Sequence, residues 1–329
     1  MKLRCLLPAV LLPVLAGLCL LHGGAAVPAT DVGAALLGGG SELAQFVVWQ
    51  TRLPAVCAAV LCGASLGVGG LLLQTLFGNP LADPSLLGVN GGAGLGVAVA
   101  VLLLGGTLSA GSWSVSGYAL SVGLAFAGAM GVIALLLSLA AVLPGRLSLL
   151  VSGVMVGFVA TALISLLTFF ATAQGVQTMF LWGMGSFGGV TWNQLLLFGA
   201  LCAFGLCATM VFGGRLNALL LGETYARNLG VDVRALRRWL LALAGLLCAA
   251  VTSLCGPISF VGLAVPHAAR LLLRTADHRR LLPVVMLLGA DVCLLCHALC
   301  QLPGGSVLPL NVVTPLLGVP IVFYLLVKR

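Results

Sequence analysis

The chain has 329 residues, of which 61% are hydrophobic and only 7% are charged, and its formal net charge is +8. Soluble globular domains are about 25% charged, and the mean hydropathy of this chain is +1.22. So few charged residues cannot cover a surface that faces water. The composition therefore excludes a soluble enzyme, a nucleic-acid-binding domain and a disordered protein, and it predicts an integral membrane protein.

Ten apolar runs, separated by polar residues, Gly or Pro, are candidate membrane spans, which need about 20 residues each. They cover approximately residues 6–21, 56–76, 88–104, 120–142, 147–170, 195–212, 236–254, 258–273, 281–300 and 312–327. We therefore predict an all-α polytopic protein, a compact bundle of about ten transmembrane helices that forms one domain over residues 1–329. The first run follows Lys2 and Arg4 and also fits a cleaved signal peptide.

Glycine is abundant, with 45 residues. In a membrane, small residues four positions apart allow two helices to approach closely, because packing replaces the hydrophobic effect as the force between them. Three pairs have this spacing: Gly63 and Gly67, Gly92 and Gly96, and Gly153 and Gly157. These pairs favour a tightly packed bundle.

The basic residues indicate the orientation of the chain. If the first residue lies inside the cell and ten spans follow, every Lys and Arg except Arg52 falls in a cytoplasmic segment, as the positive-inside rule requires. We therefore expect both termini to be cytoplasmic. The positive net charge then reflects topology and gives no reason to expect a nucleic-acid partner.

Two features would reveal a source of energy for transport in the sequence, an ionisable group within the membrane and an ATP-binding P-loop. Asp291 lies inside the ninth predicted span, and a carboxylate at that depth is the best argument for a proton-coupled secondary carrier; a carboxylate hydrogen-bonded within the bundle is the simpler interpretation. The lysines, Lys2 and Lys328, stand at the two ends of the sequence. A P-loop needs its Lys directly before a Ser or Thr, so energy from ATP must come through a partner chain.

A Cys-rich stretch in the ninth predicted span spells the pattern of c-type haem attachment, Cys293-Leu-Leu-Cys296-His297, and Cys300 follows on the same helix face. Haem attachment requires an accessible segment outside the cytoplasm, so we expect this face to pack inside the bundle and to bind neither haem nor a metal. A membrane redox protein using residues 293–300 is the alternative. The 11 cysteines are expected to act as small buried hydrophobic residues.

The segment 213–238, between the sixth and seventh spans, is the candidate docking site for a partner. Gly222 can end the helix that leaves the membrane, and Glu223 then opens a short helix with Arg227 four residues later. Gly230 is placed to end that helix, and Asp232 to cap the next. The pattern predicts two short helices that form a compact protrusion; a plain solvated loop is the alternative.

Several long motifs, in order from about residue 45 to the end, resemble the FecCD/BtuC-type permease family of ABC importers for iron–siderophore, haem and vitamin B12. They are Arg52-Leu-Pro54, Gln74-Thr-Leu-Phe-Gly-Asn79-Pro80-Leu-Ala-Asp83-Pro84-Ser-Leu-Leu-Gly88, Leu221-Gly-Glu223, Leu229-Gly230-Val, Gly256-Pro257-Ile-Ser-Phe260-Val-Gly262-Leu-Ala-Val-Pro266-His267 and Leu308-Pro309-Leu-Asn311-Val-Val-Thr314-Pro-Leu-Leu-Gly318-Val-Pro320.

The resemblance implies a BtuC-like (type II) permease that works as a homodimer in the cytoplasmic, or inner, membrane. Two copies of a separate ABC ATPase would hydrolyse ATP, so this chain is not itself an enzyme and holds no covalent cofactor. An extracytoplasmic binding protein would deliver the substrate, expected to be an iron–siderophore chelate, with haem or cobalamin as alternatives. The sequence does not specify which chelate is carried.

The resemblance also assigns residues to roles. The ATPase-coupling residues would be Gly222, Glu223, Ala226, Arg227, Leu229 and Gly230. Arg52 matches a position that docks the binding protein, but Ala55 replaces a second arginine and residues 301–308 are uncharged. Anchoring of the end of its span by Arg52 is therefore an equal alternative. Candidates for the pathway or its gate are Gln74, Asn79, Pro80, Met179, Met184 and Phe187; the nearby Trp182 and Trp192 also suit an interfacial aromatic belt.

Overall fold

The computed structural model describes residues 2–25, 27–110, 113–143, 145–301 and 307–327. In chain order the helices are α1 Lys2–Leu21, α2 Ala29–Leu36, α3 Glu42–Phe46, α4 Leu53–Phe77, α5 Val89–Ala98, α6 Tyr118–Val142, α7 Arg146–Phe169, α8 Ala173–Gly183, α9 Trp192–Val211, α10 Gly213–Leu220, α11 Glu223–Asn228, α12 Val233–Cys255, α13 Val261–Leu273, α14 His278–Cys300 and α15 Leu310–Val327. The π-helical turns Val47–Arg52 and Val99–Leu103 adjoin α4 and α5, and the 3₁₀ turn Pro84–Leu87 precedes α5.

Each of the ten predicted runs corresponds to one apolar helix. Among the residues that the structure describes, six helical stretches are long and apolar enough to cross a membrane: Glu42–Phe77, Tyr118–Val142, Arg146–Phe169, Trp192–Val211, Val233–Cys255 and His278–Cys300. Four shorter apolar helices account for the other runs: Leu6–Leu21, Val89–Leu103, Val261–Leu273 and Leu310–Pro320. The predicted all-α polytopic fold is therefore confirmed.

One β-hairpin interrupts the helical fold and was not predicted. Strands β1 Thr107–Ala110 and β2 Trp113–Ser116 pair antiparallel between α5 and α6, with Thr107 opposite Ser116 and Ala110 opposite Trp113. The hairpin is too short to cross a membrane. It serves as the connection between two apolar helices.

The core lies around α4, and α7 lies at the periphery. In the apolar stretch that contains α4, 83% of the most hydrophobic window is buried, against 17% for α7. A helix that is apolar on all sides must either be buried in protein or face lipid or another subunit. Helices α6, α7 and α9 thus leave apolar faces uncovered by this chain, whereas α4 and α12 form its interior.

Glycine allows the backbones of the core helices to touch. A Cβ atom at Gly63 of α4 would overlap the carbonyl of Gly289 in α14, and one at Gly70 would overlap the carbonyl of Gly262 in α13. In the same way, Gly96 of α5 lies against the backbone of α6. The predicted pairs Gly63/Gly67 and Gly92/Gly96 lie at helix–helix contacts, and Gly153 and Gly157 lie against Leu87 and Gly88 at the turn before α5. This confirms the close packing expected from their spacing.

Helix α1 is an integral part of the bundle. It packs against α14 and α4, and its Cys19 is buried with the thiol donating to the carbonyl of Leu294 at 3.3 Å. This packing places α1 within the helical bundle.

Candidate functional site

The segment 213–238 folds as two short helices, as predicted. Helices α10 and α11 are separated by Gly222, whose φ is 106°, and Gly230, with φ 79°, follows α11. Both values lie in the left-handed region that favours glycine. The Asp232 carboxylate then accepts hydrogen bonds from the backbone N–H groups of Arg234 and Ala235 at 2.9 and 3.0 Å and caps α12.

Glu223 joins α11 to two long helices. Arg146, the first residue of α7, donates from Nε to Glu223 Oε1 at 2.7 Å, and Arg237 of α12 donates to the same oxygen at 2.9 Å. The i,i+4 pair predicted within α11 is also present, with Arg227 at 3.5 Å from Oε2. The sequence pattern indicated Arg227 but missed Arg146 and Arg237, which lie 77 and 14 residues away in the chain.

The charge of Glu223 is secured by these arginines. Partial burial raises the pKa of its carboxyl, but the hydrogen bonds and charges of Arg146 and Arg237 outweigh burial and hold the pKa below its ordinary value. A group with a depressed pKa in the folded state stabilises the fold above its unfolded pKa and loses that effect as the pH falls through the folded value. The three-helix connection is therefore intact at neutral pH.

The outer face of this protrusion is apolar. Leu221, Tyr225 and Leu229 each expose half or more of their surface, whereas Ala226 is fully buried against the bundle. Clustered exposed apolar side chains at a helix turn are typical of a surface that another protein covers. We call this surface, Leu221, Tyr225 and Leu229, the docking face.

Gln74, at the end of α4, is a buried cross-link and not a free polar side chain. Its Oε1 accepts a hydrogen bond from Arg270 of α13 at 2.7 Å, and its Nε2 donates to the carbonyls of Gly262 and Leu263. Asn79 lies in the turn that follows, where its Oδ1 accepts from the N–H of Leu81 at 2.9 Å. Asn79 and its neighbour Pro80 are half-buried; their roles in the pathway stay predictions.

Arg52 lies at the opposite end of α4, about 33 Å from Gln74 at the rise of an α-helix. Its guanidinium donates to the carbonyls of Leu20 and Leu21 at 2.7 and 3.1 Å and to that of Ala25 at 2.7 Å, and only 6% of the residue is exposed. The carbonyls of Leu20 and Leu21 belong to the last turn of α1, which leaves them without a partner inside the helix, and that of Ala25 lies in the segment that follows α1. The geometry favours an anchoring residue over a free docking cation, although docking of a binding protein stays a prediction.

We predict that Arg52→Ala lowers the free energy of unfolding by about 2 kcal/mol, because three partly buried carbonyl hydrogen bonds lose their charged donor. Arg52→Lys should rescue little, because an ammonium group lacks the planar fork that reaches all three carbonyls. The thermal unfolding midpoint in detergent measures the effect. Arg238→Ala, at an exposed arginine of α12, is the matched control; equal midpoints for Arg52→Ala and Arg238→Ala would contradict the anchoring role.

The methionine-rich segment forms α8 near the Arg52 end of the bundle. Every residue of α8 is at least partly exposed. Met179 and Met184 are half-buried, and the side chain of Asn311 donates to the carbonyl of Gly183 at 2.7 Å, which ties the end of α8 to α15. Phe187 is 1% exposed, and its ring packs edge-on against His297 at 5.7 Å, so Phe187 contributes to the core in this conformation.

A cavity of about 580 Å³ adjoins α8 and was not predicted from the sequence. Helices α5, α6, α8 and α12 line it, and its polar and aromatic side chains include Tyr118 and Ser121 of α6 and Gln174, Thr178 and Trp182 of α8. The polar lining comes from positions scattered over the chain, so no local pattern marks them as one surface.

The Cys-rich stretch and Asp291, on which the redox and proton-coupled alternatives depend, both lie in α14. Cys293, Cys296, His297 and Cys300 are all buried in α14, and within the described residues no group of three or more His, Cys, Asp or Glu is arranged to hold a metal ion. Asp291 is buried, yet neither carboxylate oxygen has a hydrogen-bond partner among the residues that the structure describes. The expectation of a hydrogen-bonded Asp291 is therefore wrong for this part of the chain.

Known proteins share sequence similarity with this chain over most of its length. The model of the FecCD transport family matches residues 11–328. Vitamin B12 import system permease proteins BtuC are 38% identical in Klebsiella pneumoniae over 289 residues, covering 88% of this chain and 84% of the relative, and 40% identical in Salmonella arizonae over 290 residues, covering 88% and 85%.

Solved structures share the fold. An inward-facing metal-chelate type ABC transporter superposes with a TM-score of 0.84 at 28% identity, covering 100% of this chain and 99% of the other. PsaBC from Streptococcus pneumoniae, solved with a Fab, superposes with a TM-score of 0.50 at 15% identity, covering 83% and 90%, a likeness of fold alone. A family match over nearly the whole length and relatives at this identity establish that the chain belongs to the FecCD transport family.

Proposed function

We propose that the chain is the permease subunit of an ABC importer that a separate ATPase drives and a substrate-binding protein supplies. The observation that carries the proposal is the protrusion α10–α11, which presents an apolar docking face outward and is tied by Glu223 to α7 and α12. A rigid element fixed to spanning helices suits the transfer of a rigid-body motion from a partner into the membrane. Family membership supports the same function.

The proposed partners follow from the two ends of the bundle. The Glu223 end would face the cytoplasm and bind two ATPase subunits, because the arginines of residues 213–238 and 270–280 concentrate there. The Arg52 end would face a binding protein outside the inner membrane. Both termini would then be cytoplasmic, although Lys328 and Arg329 lie outside the described residues.

A second copy of this chain is the proposed neighbour of α7. This helix exposes large apolar side chains along its length, including Phe158, Leu166 and Phe169. Its other face carries Gly153 and Gly157, which lie against Leu87 and Gly88. Two copies related by a two-fold axis beside α7 would cover this surface and leave a pathway between them.

The proposed cargo is a bulky metal chelate, with vitamin B12 as the first candidate. Relatives at 38–40% identity are named as vitamin B12 permeases, which favours cobalamin over the iron–siderophore expected from the sequence. The iron–siderophore stays as the second candidate, because the family model bears the name FecCD and a neighbouring fold is a metal-chelate type transporter.

Reconstitution tests this function. The chain, an ABC ATPase captured with it from native membranes and a binding protein are placed in proteoliposomes, and ATP-dependent uptake of labelled cyanocobalamin, ferric siderophores and haem is compared. Uptake that requires ATP and continues in the presence of a protonophore supports an importer permease, and the accumulated compound identifies the cargo. Uptake that a protonophore abolishes while ATP is held constant would instead favour a carrier that uses Asp291.

A further inference from the structure

A second set of contacts holds the protrusion to the bundle, on the side away from Glu223. Asn217 of α10 donates from Nδ2 to Asp277 Oδ1 at 2.6 Å, and its Oδ1 accepts from the backbone N–H of His278 at 2.8 Å. The Nδ1 atom of the His278 ring lies 3.0 Å from the same oxygen. One side chain of α10 thus makes three contacts at the start of α14, one with its N-cap residue Asp277 and two with its first residue His278.

The imidazole of His278 extends this chain of contacts into α4. Its Nε2 lies 2.8 Å from the hydroxyl of Thr75, and both residues are buried. Because the Asn217 amide donates to Asp277 and its oxygen only accepts, the hydrogen of the neutral imidazole belongs on Nδ1. The single hydrogen of the Thr75 hydroxyl is then shared between Nε2 and the carbonyl of Leu71, which lies 2.9 Å from the hydroxyl oxygen. An unbroken path of hydrogen bonds runs from α10 through α14 to α4.

Helices α4, α13 and α14 are themselves locked together. Gly63 lies against the backbone of Gly289, and Gly70 against that of Gly262, so neither α14 nor α13 can slide past α4 without a backbone clash. The Gln74–Arg270 hydrogen bond adds a polar cross-link between α4 and α13 near the same end. These contacts join the three helices into one tightly packed unit.

We infer that Asn217 and His278 couple the protrusion to the α4–α13–α14 unit, and that they are positioning residues for transport. This inference rests on the proposed function, in which an ATPase moves the protrusion. Glu223 connects the protrusion to α7 and α12. Asn217 connects it to the start of α14, and through α14 to α4 and α13. A displacement of the protrusion therefore acts on two groups of helices at once and changes their relative position.

A coupling role and a simple helix-capping role for Asn217 have different expected effects on transport. The start of any helix leaves N–H groups unpaired, and Asn217 satisfies one of them at His278. A cap alone needs neither the imidazole contact nor the Thr75 hydroxyl, and its loss would lower stability without changing how much substrate moves for each ATP. Coupling predicts that this ratio itself falls, because hydrolysis continues while the α4–α13–α14 unit no longer follows.

The experiment measures substrate transported per ATP hydrolysed in proteoliposomes that contain the complete importer. Asn217→Leu keeps the side-chain volume and removes all three contacts, and Thr75→Val removes only the bond to the imidazole ring and the threonine's own backbone bond. We expect the ratio to fall roughly tenfold for Asn217→Leu and less for Thr75→Val, with hydrolysis retained. Thr252→Val is the matched control, because Thr252 is another buried threonine that bonds across helices, to Asn90 at 2.9 Å.

Three results would overturn the inference: an unchanged ratio in both variants, an equal fall in uptake and hydrolysis, or the same fall in Thr252→Val. If Asn217→Leu does not assemble, Thr75→Val decides by the same ratio. Failure of the proposed function looks different, because the wild-type chain would then show no ATP-driven uptake with its ATPase.

Discussion

Replacing Glu223 with Arg is expected to abolish substrate uptake while the protein still inserts in the membrane. The wild-type carboxylate forms ion pairs with Arg146, Arg237 and Arg227 at 2.7–3.5 Å. A fourth cation in its place would repel all three and separate α11 from α7 and α12. Because the ion pairs are partly exposed, water screens the repulsion and the bundle itself should survive.

The expected loss is roughly two orders of magnitude in ATP-dependent uptake, since a broken connection removes coupling and not only affinity. Glu223→Gln should be milder, because the amide oxygen still accepts one arginine hydrogen bond. Glu42→Arg is the matched control: Glu42 also opens a short helix but is exposed near the Arg52 end. For all three variants we would measure uptake into proteoliposomes, together with membrane insertion and ATP hydrolysis.

Normal uptake by Glu223→Arg would remove Glu223 from the coupling site. Equal losses in Glu223→Arg and Glu42→Arg would have the same meaning, because they would show a general sensitivity to charge reversal. A selective loss in Glu223→Arg would place the coupling in the connection between α11, α7 and α12.

Local patterns in the sequence predicted the elements that local physics decides. The apolar runs predicted the spanning helices because the length and hydropathy of a span are properties of consecutive residues. The protrusion was predicted for the same reason, since Gly222, Gly230 and Asp232 each act on the backbone beside them. The hairpin Thr107–Ala110 with Trp113–Ser116 was missed, because two four-residue strands carry too little alternation to stand out between apolar helices.

The connections of the site lie beyond such patterns. Glu223 and Arg146 are 77 residues apart, Asn217 and His278 are 61 apart, and Gln74 and Arg270 are 196 apart. Only the packing of α4, α7, α12 and α14 brings them within hydrogen-bond distance. Arg52 shows the opposite limit: the motif marks this residue, but it does not reveal that its guanidinium donates to carbonyls at the end of α1 and in the segment that follows.

Gly63→Ala is expected to disrupt assembly of the bundle, although alanine is the better helix former. Its Cβ would meet the carbonyl of Gly289, and the N atom of Ala290 at 2.8 Å. These are backbone atoms, which cannot turn aside as a side chain can, so α4 and α14 must separate. Overpacking of this kind costs about 3 kcal/mol or more, which exceeds the gain of up to about 1 kcal/mol from helix propensity.

Gly131→Ala in α6 isolates the packing effect, because a Cβ there has no atom within 4 Å. Only propensity acts at Gly131, so its variant should keep or slightly raise the unfolding midpoint in detergent. Gly63→Ala should lower the midpoint and the yield of folded protein. Equal behaviour of the two would mean that α4 and α14 do not touch through Gly63 and Gly289. The α4–α13–α14 unit would then lack its main contact, and motion of α14 would no longer require motion of α4.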